Sequence, residues 1–235
     1  MRRFYKSVEI ATGPNGHQVT LDGKPIRTPA GRPFLVLAAA LARAIAGEWA
    51  SAPPEGEIKP LQMPMTRLAM TALDRVADQR EKVVSDIAAY GGSDLLCYRA
   101  EGPAELVARQ ASAWDPLLHW ARTEHGIDLA VTAGVMPVPQ PDEVLTQVRV
   151  VVERCDDFEL SGLFQLAAGY GSVILALAVL DGRISAQQGC DLAEIDAAWQ
   201  AERWGEDVEA GRQRARVRAD MLAAGSFLAN LRATD

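Results

Sequence analysis

The segment QVTLDGKPIRT, residues 18–28, decides how the N-terminal part of the chain folds. It places Asp22 and Gly23 between two short extended runs, and an Asp-Gly pair in that position is a strong signal for a β-hairpin. The segment before it, FYKSVEI (4–10), alternates in part, and GPNGH (13–17) supplies turn residues. These signals predict that the chain begins with short antiparallel strands.

Beyond the hairpin, helical patterns dominate. A first helix is predicted over 38–49, and the prolines and glycine of SAPPEGEIKP (51–60) cannot continue it. Thr66 is the predicted N-cap of the next helix, which the glycine pair at 91–92 stops. Further helices are predicted to begin at Pro103 and to cover residues around 144–152, 158–180, 185–204 and 207–231.

This order of patterns predicts an α+β fold. A small strand-rich N-terminal domain, residues 1–62, is expected to precede a larger all-helical C-terminal domain, residues 63–235. Leu41, Ile45 and Trp49 lie four residues apart on one face of the first helix. Trp49, with Glu48 beside it, is therefore the candidate residue at the junction of the two domains.

Composition and charge exclude several classes of protein. The formal net charge of −7 argues against nucleic acid as a partner, because binding to phosphates requires cationic side chains. The three cysteines are odd in number and widely spaced, which favours a reducing compartment over a disulfide framework. The longest apolar stretch, residues 163–180, contains polar residues and two glycines, so it predicts a buried helix and no membrane insertion. The N-terminus has no apolar core of a secretory signal, and an intracellular protein is expected.

The sequence contains no pattern typical of an enzyme. His119 and His125 are six residues apart, so on a helix they point to different sides and cannot share a metal ion. There is no G-x-x-x-x-G-K-[ST] run, no G-x-S-x-G and no thiol with a recognisable base beside it. Adjacent carboxylates, as at 156–157 and 206–207, are typical of helix starts. We therefore expect no metal site, no cofactor and no catalytic residue.

Several polar and aromatic blocks occur in a specific order along the chain. They are LDGKPIRTPAG (21–31), AIAGEWAS (44–51), MPMTRLAMTALDR (63–75), SDLLCYRA (93–100), WDPLLHW (114–120) and WQAERWGE (199–206). In this order and spacing they closely resemble the F1-ATPase assembly factor family, the chaperones dedicated to the α subunit of ATP synthase. The opening FYKSVEI and the late LAAGSFL (222–228) match as well, so the resemblance covers nearly the entire chain.

The resemblance implies a protein that is not an enzyme. Such proteins bind the unassembled F1 α subunit, cover surface that will later face the β subunit, and release it as the hexamer forms. The implied fold is a small strand-rich domain followed by a larger helical one, in agreement with the division near residue 62. Family members in eukaryotes act in the mitochondrial matrix, whereas this chain begins directly at the family's FYK block, so a bacterial member working in the cytoplasm is expected. The free protein is expected to be a monomer.

The block around residues 196–206 contains the candidate client-binding residues. They are Asp196, Trp199, Gln200, Glu202, Trp204 and Glu206. On a single helix over 186–204, Trp199 lies on the apolar stripe and Asp196 at its edge, which leaves two interpretations open. Either Trp199 is core and Asp196 pairs within the domain, or the carboxylates and aromatic rings border a surface for the client. Family members usually carry a second acidic residue where this chain has Ala197 and Ala198, so Asp196 alone keeps the charge there.

A small-molecule enzyme of unrecognised type is the alternative function. Its polar groups would be the RTPAG loop (27–31) and Asp22 or Glu48, in a pocket between the two domains. A chaperone should instead expose a broad and partly apolar surface.

Overall fold

The computed structural model of the chain describes residues 2–54, 56–134 and 136–233. Its strands are β1 (Val8–Gly13), β2 (Gly16–Leu21), β3 (Lys24–Pro25), β4 (Tyr98–Arg99) and β5 (Thr132–Ala133). Its α-helices are α1 (Ala39–Ala50), α2 (Pro64–Thr71), α3 (Arg80–Ala88), α4 (Ala104–His125), α5 (Asp142–Glu153), α6 (Asp157–Tyr170), α7 (Val173–Leu180), α8 (Ala186–Ala193), α9 (Ile195–Trp204) and α10 (Val208–Arg232). The predicted fold class, a small strand-rich part followed by a larger helical part, is confirmed. The helical part also contains the short parallel pair β4–β5, which the sequence patterns did not predict.

The predicted hairpin at Asp22-Gly23 is confirmed. Strands β2 and β3 are antiparallel neighbours, and β1 pairs with the other edge of β2. Both turn residues have positive φ, 48° at Asp22 and 76° at Gly23, as a two-residue hairpin turn of this twist requires. The Asp22 carboxylate accepts from the backbone N–H groups of Lys6 (2.9 Å) and Ser7 (2.8 Å), and these bonds lower its pKa. The turn therefore also fixes the chain segment that leads into β1.

Helix α1 covers the strands with the predicted stripe. Leu41, Ile45 and Trp49 are all buried, as are Val19 and Leu21 on the facing positions of β2. Val19 and Leu21 point to the same side of β2, and the four-residue spacing of α1 places its apolar side chains on one face. This packing forms the core of the strand-rich part.

The predicted N-cap at Thr66 is wrong, because a carboxylate from another helix takes that role. Helix α2 begins at Pro64, and its N-cap residue, Met63, offers no side-chain acceptor. Glu48 of α1 accepts instead from the backbone N–H of Met65 (2.6 Å), and from the N–H (2.8 Å) and hydroxyl (2.7 Å) of Thr66. Burial raises the pKa of Glu48, while these hydrogen bonds act to lower it. A helix N-terminus favours a negative charge at this position.

The helix predicted to run from Thr66 to the glycine pair at 91–92 is interrupted. A π-helical turn, Ala72–Val76, follows α2 directly, and α3 begins only at Arg80. The predicted continuous helix over 185–204 is also wrong, because it breaks at Glu194 between α8 and α9. The positions of Asp196 and Trp199 around the helix, which were derived for a single helix over 186–204, therefore do not hold across this break. Ser185 and Gln188 have the three-residue spacing of a capping box in the sequence, and this box is present at the start of α8.

The long apolar stretch is largely buried, as predicted, but the single helix predicted over 158–180 is wrong, because two helices form there. Gly171, with φ of 65°, separates α6 from α7, and all eight residues of α7 are buried. Gly169 lies where α6 meets α10, and a Cβ there would approach Met221 to 2.6 Å, so the absence of a side chain allows the two helices to pack closely. Within the described residues, no helix combines the length and apolar character that crossing a membrane requires.

The described residues form two compact units. The first contains the residues up to Arg80 together with Asp157–Gly162 and the residues from Ser226 onward. The second contains Glu81–Asp156 and Leu163–Gly225, apart from the undescribed Val135. Each unit therefore combines segments that are distant in sequence. The division into independently folding domains at residue 62 stays a prediction.

Asp94 is a fully buried carboxylate at the N-terminus of α7. Its Oδ2 accepts from the Ser172 hydroxyl (3.0 Å) and the Ile174 backbone N–H (3.1 Å), and its Oδ1 accepts from the Leu96 N–H (3.0 Å). Burial raises the pKa of Asp94 to about 6, because desolvation of the charge outweighs these hydrogen bonds. Asp94 thus connects the chain before β4 to the most deeply buried helix of the second unit.

Removing the Glu48 carboxylate should destabilise the protein. In Glu48→Ala, the first N–H groups of α2 lose their acceptors, and we expect the free energy of unfolding to fall by about 2–4 kcal/mol. Glu48→Gln retains one acceptor oxygen and should lose less. Urea denaturation of the wild type, Glu48→Gln and Glu48→Ala measures the order of their stabilities. Equal stability of the alanine and glutamine variants would contradict the capping role.

The raised pKa of Asp94 predicts a pH dependence of stability. Between about pH 4 and pH 6, the folded state binds a proton at Asp94 that the unfolded state has lost. The resulting stabilisation is fully present below the unfolded pKa and is lost as pH rises through the folded one. The free energy of unfolding of the wild type, relative to that of Asp94→Asn, should therefore be larger at pH 4 than at pH 7. Denaturant titrations of both proteins at both pH values measure this difference, and a constant difference would refute it.

Candidate functional site

Helix α9 carries most of the candidate binding residues and packs against α4. Trp199 lies in this packing with 8% of its surface exposed, and the Arg203 guanidinium lies 4.1 Å from the centroid of its ring. Trp114 of α4 is fully buried and donates from its indole N–H to the Leu192 carbonyl (3.0 Å). Trp199 therefore contributes to the core, in agreement with the first of the two interpretations that the sequence left open.

Asp196 lies at the edge of the same packing and has an internal partner. It is half-buried, and its Oδ1 accepts from Nε2 of Gln110 at 2.7 Å. Gln110 is buried on α4, and its amide oxygen accepts from the Ala100 N–H (2.8 Å). The partner of Asp196 is thus a neutral amide, and the described residues show no ion pair that involves this carboxylate. Its negative charge is held in place without being neutralised by a contacting cation.

Two ion pairs connect α9 with α4 at the surface. Glu202 accepts from Arg109 at 2.9 and 3.0 Å, and Arg203 donates to Glu105 at 2.8 Å. All four side chains are substantially exposed. Exposed pairs of this kind contribute about 0–1 kcal/mol each, so a charged group of another molecule can replace one partner at little cost.

The end of α9 exposes an aromatic side chain. Trp204 is 77% exposed, whereas Trp49, Trp114 and Trp199 are buried. Gln200 is exposed one turn before it, and Val208, at the start of α10, is exposed four residues after it. Glu206 lies between them and pairs with Arg214. The candidates Gln200, Trp204 and Glu206 are therefore accessible to a partner, which Trp199 is not.

The candidate junction residues lie together in the first unit. Trp49 is 8% exposed, its ring centroid is 5.8 Å from that of Tyr5, and its carbonyl accepts from the Tyr5 hydroxyl (2.7 Å). Glu48 binds the start of α2, as described above. Both residues hold α1 to its neighbours within this unit. A role at a junction between separately folding domains stays a prediction.

The groups considered for catalysis are engaged in the fold. The carboxylates of Asp22 and Glu48 accept backbone hydrogen bonds, and burial raises the pKa of the Cys97 thiol to about 12. His125 pairs with Asp181 at 2.9 Å. Among the residues described by the structure, no three His, Cys, Asp or Glu side chains are grouped in a way that could hold a metal ion.

Sequence reasoning missed the α4 side of this surface. Glu105, Arg109 and Gln110 complete the polar contacts of α9, although they lie 86–98 residues away in sequence. Glu105 and Arg109 do have the four-residue spacing of neighbours on a helix surface, which identifies a polar face of α4. No signal in the sequence assigns that face to α9.

A protein-family model matches this chain over residues 2–122, just over half of its 235 residues. The model describes the ATP12 chaperone protein. The mitochondrial protein atp12 of Schizosaccharomyces pombe is 23% identical to this chain over 215 residues, which cover 87% of this chain and 74% of the yeast protein.

Solved structures extend the similarity to nearly the whole chain. Atp12 from Paracoccus denitrificans has a TM-score of 0.93 and 44% identity, with 98% of each chain covered, and an aspartate-to-lysine mutant of it gives the same values. The Atu1473 protein from Agrobacterium tumefaciens has a TM-score of 0.91 and 39% identity, with 98% of this chain and 86% of that one covered. Fold and sequence together define a chaperone of ATP synthase assembly. The chain belongs to the ATP12 chaperone protein family.

Proposed function

We propose that this chaperone binds the unassembled α subunit of F1-ATPase through α9 and the residues after it, and transfers it to the α/β hexamer. The sequence blocks that resemble the α-subunit chaperones support the choice of client, and family membership supports the role in assembly. We call the accessible part of this region, Asp196, Gln200, Glu202, Trp204, Glu206 and Val208, the α9 surface.

The exposure of Trp204 carries this proposal. A tryptophan that is 77% exposed leaves a large apolar area in water, which contributes nothing to the stability of the free protein. Tryptophan is the residue type most enriched among the side chains that dominate binding energy at protein interfaces. Val208 adds a second exposed apolar side chain close in sequence, and Gln200 and Glu206 supply polar neighbours. An apolar centre with a polar rim is the usual composition of an interface.

The charges of the α9 surface favour a client with basic groups. Asp196 contacts a neutral amide, and Glu202 contacts an exposed arginine that another cation can replace. A client arginine or lysine at this position would gain attraction to both carboxylates. The formal net charge of −7 acts in the same direction at longer range.

Binding without catalysis agrees best with the groups present. The carboxylates of Asp22 and Glu48 hold the segment before β1 and the start of α2 through backbone hydrogen bonds, so both have structural roles. The proposal therefore assigns no reaction and no cofactor to this protein. We propose a bacterial protein that works in the cytoplasm, since the bacterial proteins described above are 39–44% identical to it and the yeast mitochondrial one 23%. That the free chaperone is a monomer stays a prediction.

Co-expression with the F1 α subunit of the same source tests the proposal. We expect soluble α subunit that elutes in size-exclusion chromatography with the chaperone, and aggregation of α subunit expressed alone. Co-expression with the β subunit is the matched control and should leave the β subunit aggregated. An α subunit that stays insoluble with the chaperone present would refute the proposed client.

Truncation of Trp204 should separate binding from folding. We expect Trp204→Ala to weaken capture of the α subunit at least about ten-fold, because interface tryptophans commonly contribute about 2 kcal/mol or more. Its melting temperature should be nearly unchanged, since the side chain is exposed. Leu37→Ala is the matched control, because Leu37 is 81% exposed in the first unit and lies outside the α9 surface. If Trp204→Ala captured the α subunit as well as Leu37→Ala does, the client-binding site would lie outside the α9 surface.

Removal of the Asp196 charge should weaken capture without unfolding the protein. Asp196→Asn keeps an acceptor oxygen for Gln110, so we expect a stability close to that of the wild type and a several-fold weaker capture. Asp196→Lys adds repulsion and loses the hydrogen bond, so it should weaken capture further and cost stability as well. Thermal melting and a salt series of capture assays measure both effects. Capture by Asp196→Asn that equals the wild type at low salt would show that this charge is not recognised.

A further inference from the structure

The first unit contains a cavity of about 480 Å³ that none of the functions above uses. Six apolar residues form most of its wall: Pro29, Trp49, Ile58, Pro60, Met63 and Met70. Its volume lies within the range of about 300–1,000 Å³ that is typical of ligand pockets. Methionine side chains adapt their shape to different apolar groups, so this wall can accept side chains of more than one kind.

Two buried polar atoms on residues of this wall have unused hydrogen-bonding capacity. The indole Nε1 of Trp49 and the Oδ1 of Asp74 have no hydrogen-bond partner among the described residues. The other carboxylate oxygen of Asp74 accepts from the Ala30 N–H (3.0 Å), and the Arg32 Nε is 4.0 Å from Oδ1. Unsatisfied buried groups cost about 1–3 kcal/mol each and are rare in folded proteins. Here one donor and one acceptor belong to residues of the same cavity.

A peptide group carries the complementary pair of atoms. A backbone carbonyl oxygen of an extended segment can accept from the indole N–H, and a backbone N–H of the same segment can donate to the Asp74 carboxylate. A purely apolar molecule would fill the cavity and leave both groups unsatisfied. Asp74 also belongs to the π-helical turn Ala72–Val76, and such turns occur frequently at functional sites.

The charges at the cavity favour a ligand in which an acidic residue is next to the apolar side chain that enters the cavity. Arg32 is engaged by Asp74 and Asp78, and the charge of Arg67 acts on Glu48. Arg75, also on the wall, is an exposed side chain that no ion pair among the described residues involves. A carboxylate of the occupant could therefore pair with Arg75.

We propose that this cavity binds an extended segment of the client polypeptide, in which a large apolar side chain is next to an acidic residue. The apolar side chain fills the cavity, backbone groups of the segment bond to the Trp49 N–H and the Asp74 carboxylate, and the acidic side chain pairs with Arg75. This assignment rests on the proposed function, because it takes an unassembled polypeptide to be the ligand. It gives the chaperone a second contact with its client, in addition to the α9 surface.

Peptide titrations of the full chain, labelled with ¹⁵N, test the site. The probe is the capped hexapeptide Gly-Ser-Leu-Glu-Ser-Gly, and the readout is the indole N–H resonance of Trp49, assigned by its loss in Trp49→Phe. We expect the Trp49 resonance to shift until the hexapeptide saturates the site, whereas the indole resonance of Trp114 should not shift. The same peptide with serine in place of leucine should bind at least five-fold more weakly. Equal shifts with both peptides, or no shift at millimolar concentration, would overturn the proposal.

A charge exchange at Arg75 tests the orientation of the ligand. Arg75→Glu should weaken binding of the glutamate peptide at least five-fold and strengthen binding of a peptide with lysine in its place. Lys24→Glu is the matched control, since Lys24 is exposed in the same unit and does not line the cavity, and it should change neither affinity. An unchanged peptide preference in Arg75→Glu would overturn the assignment of the acidic neighbour.

Two comparisons distinguish a polypeptide site from a small-molecule pocket, and the cavity from the α9 surface. N-acetyl-leucine amide that binds as tightly as the hexapeptide would indicate a small-molecule pocket and overturn the polypeptide assignment. Capture of the α subunit by the wild type, without binding of the hexapeptide, would overturn the cavity proposal and leave the proposed function intact. Failure of α-subunit capture together with saturable binding of the hexapeptide would overturn only the identity of the client.

Discussion

The carboxylate of Glu48 makes the contact on which the first unit depends. It lies on α1, which covers the strands, and it accepts hydrogen bonds from the first turn of α2. A negative charge at a helix N-terminus is favourable, and partial burial makes its hydrogen bonds hard to replace with water. Because Trp49 follows Glu48 directly, and Met63 and Thr66 lie at the start of α2, the same contact sets the positions of three residues of the cavity wall.

The second unit uses buried polar contacts in the same way. Asp94 holds the chain before β4 against the N-terminus of α7, and Gln110 of α4 connects the Ala100 backbone with Asp196 of α9. In each case a side chain buried among apolar residues satisfies groups that would otherwise lose their hydrogen bonds, and so fixes one arrangement of the elements. The orientation of α9, and hence the exposure of Trp204, follows from contacts that lie below the surface.

The two tryptophans of α9 show how a stable fold can keep apolar area exposed. Trp199 and Trp204 lie five residues apart on the same helix, yet the first packs on α4 and the second is exposed at the helix end. Loss of Trp199 would damage the protein itself, whereas Trp204 is available for a partner. In the first unit, an unsatisfied donor on Trp49 and an unsatisfied acceptor on Asp74 belong to residues of one cavity wall.

The sequence by itself determined the strand-rich beginning, the hairpin at Asp22-Gly23, the stripe of α1 and the capping box at Ser185, because each depends on residues close together along the chain. Its ordered blocks also indicated the family. It did not determine the cap of α2, the break at Glu194 or the partner of Asp196. Those features depend on side chains that only the tertiary structure brings together: Glu48 comes from the preceding helix, and Gln110 lies 86 residues from Asp196. The burial of Trp199 and the exposure of Trp204 were decided in the same way, since periodicity shows which residues share a face and only packing shows which face is covered.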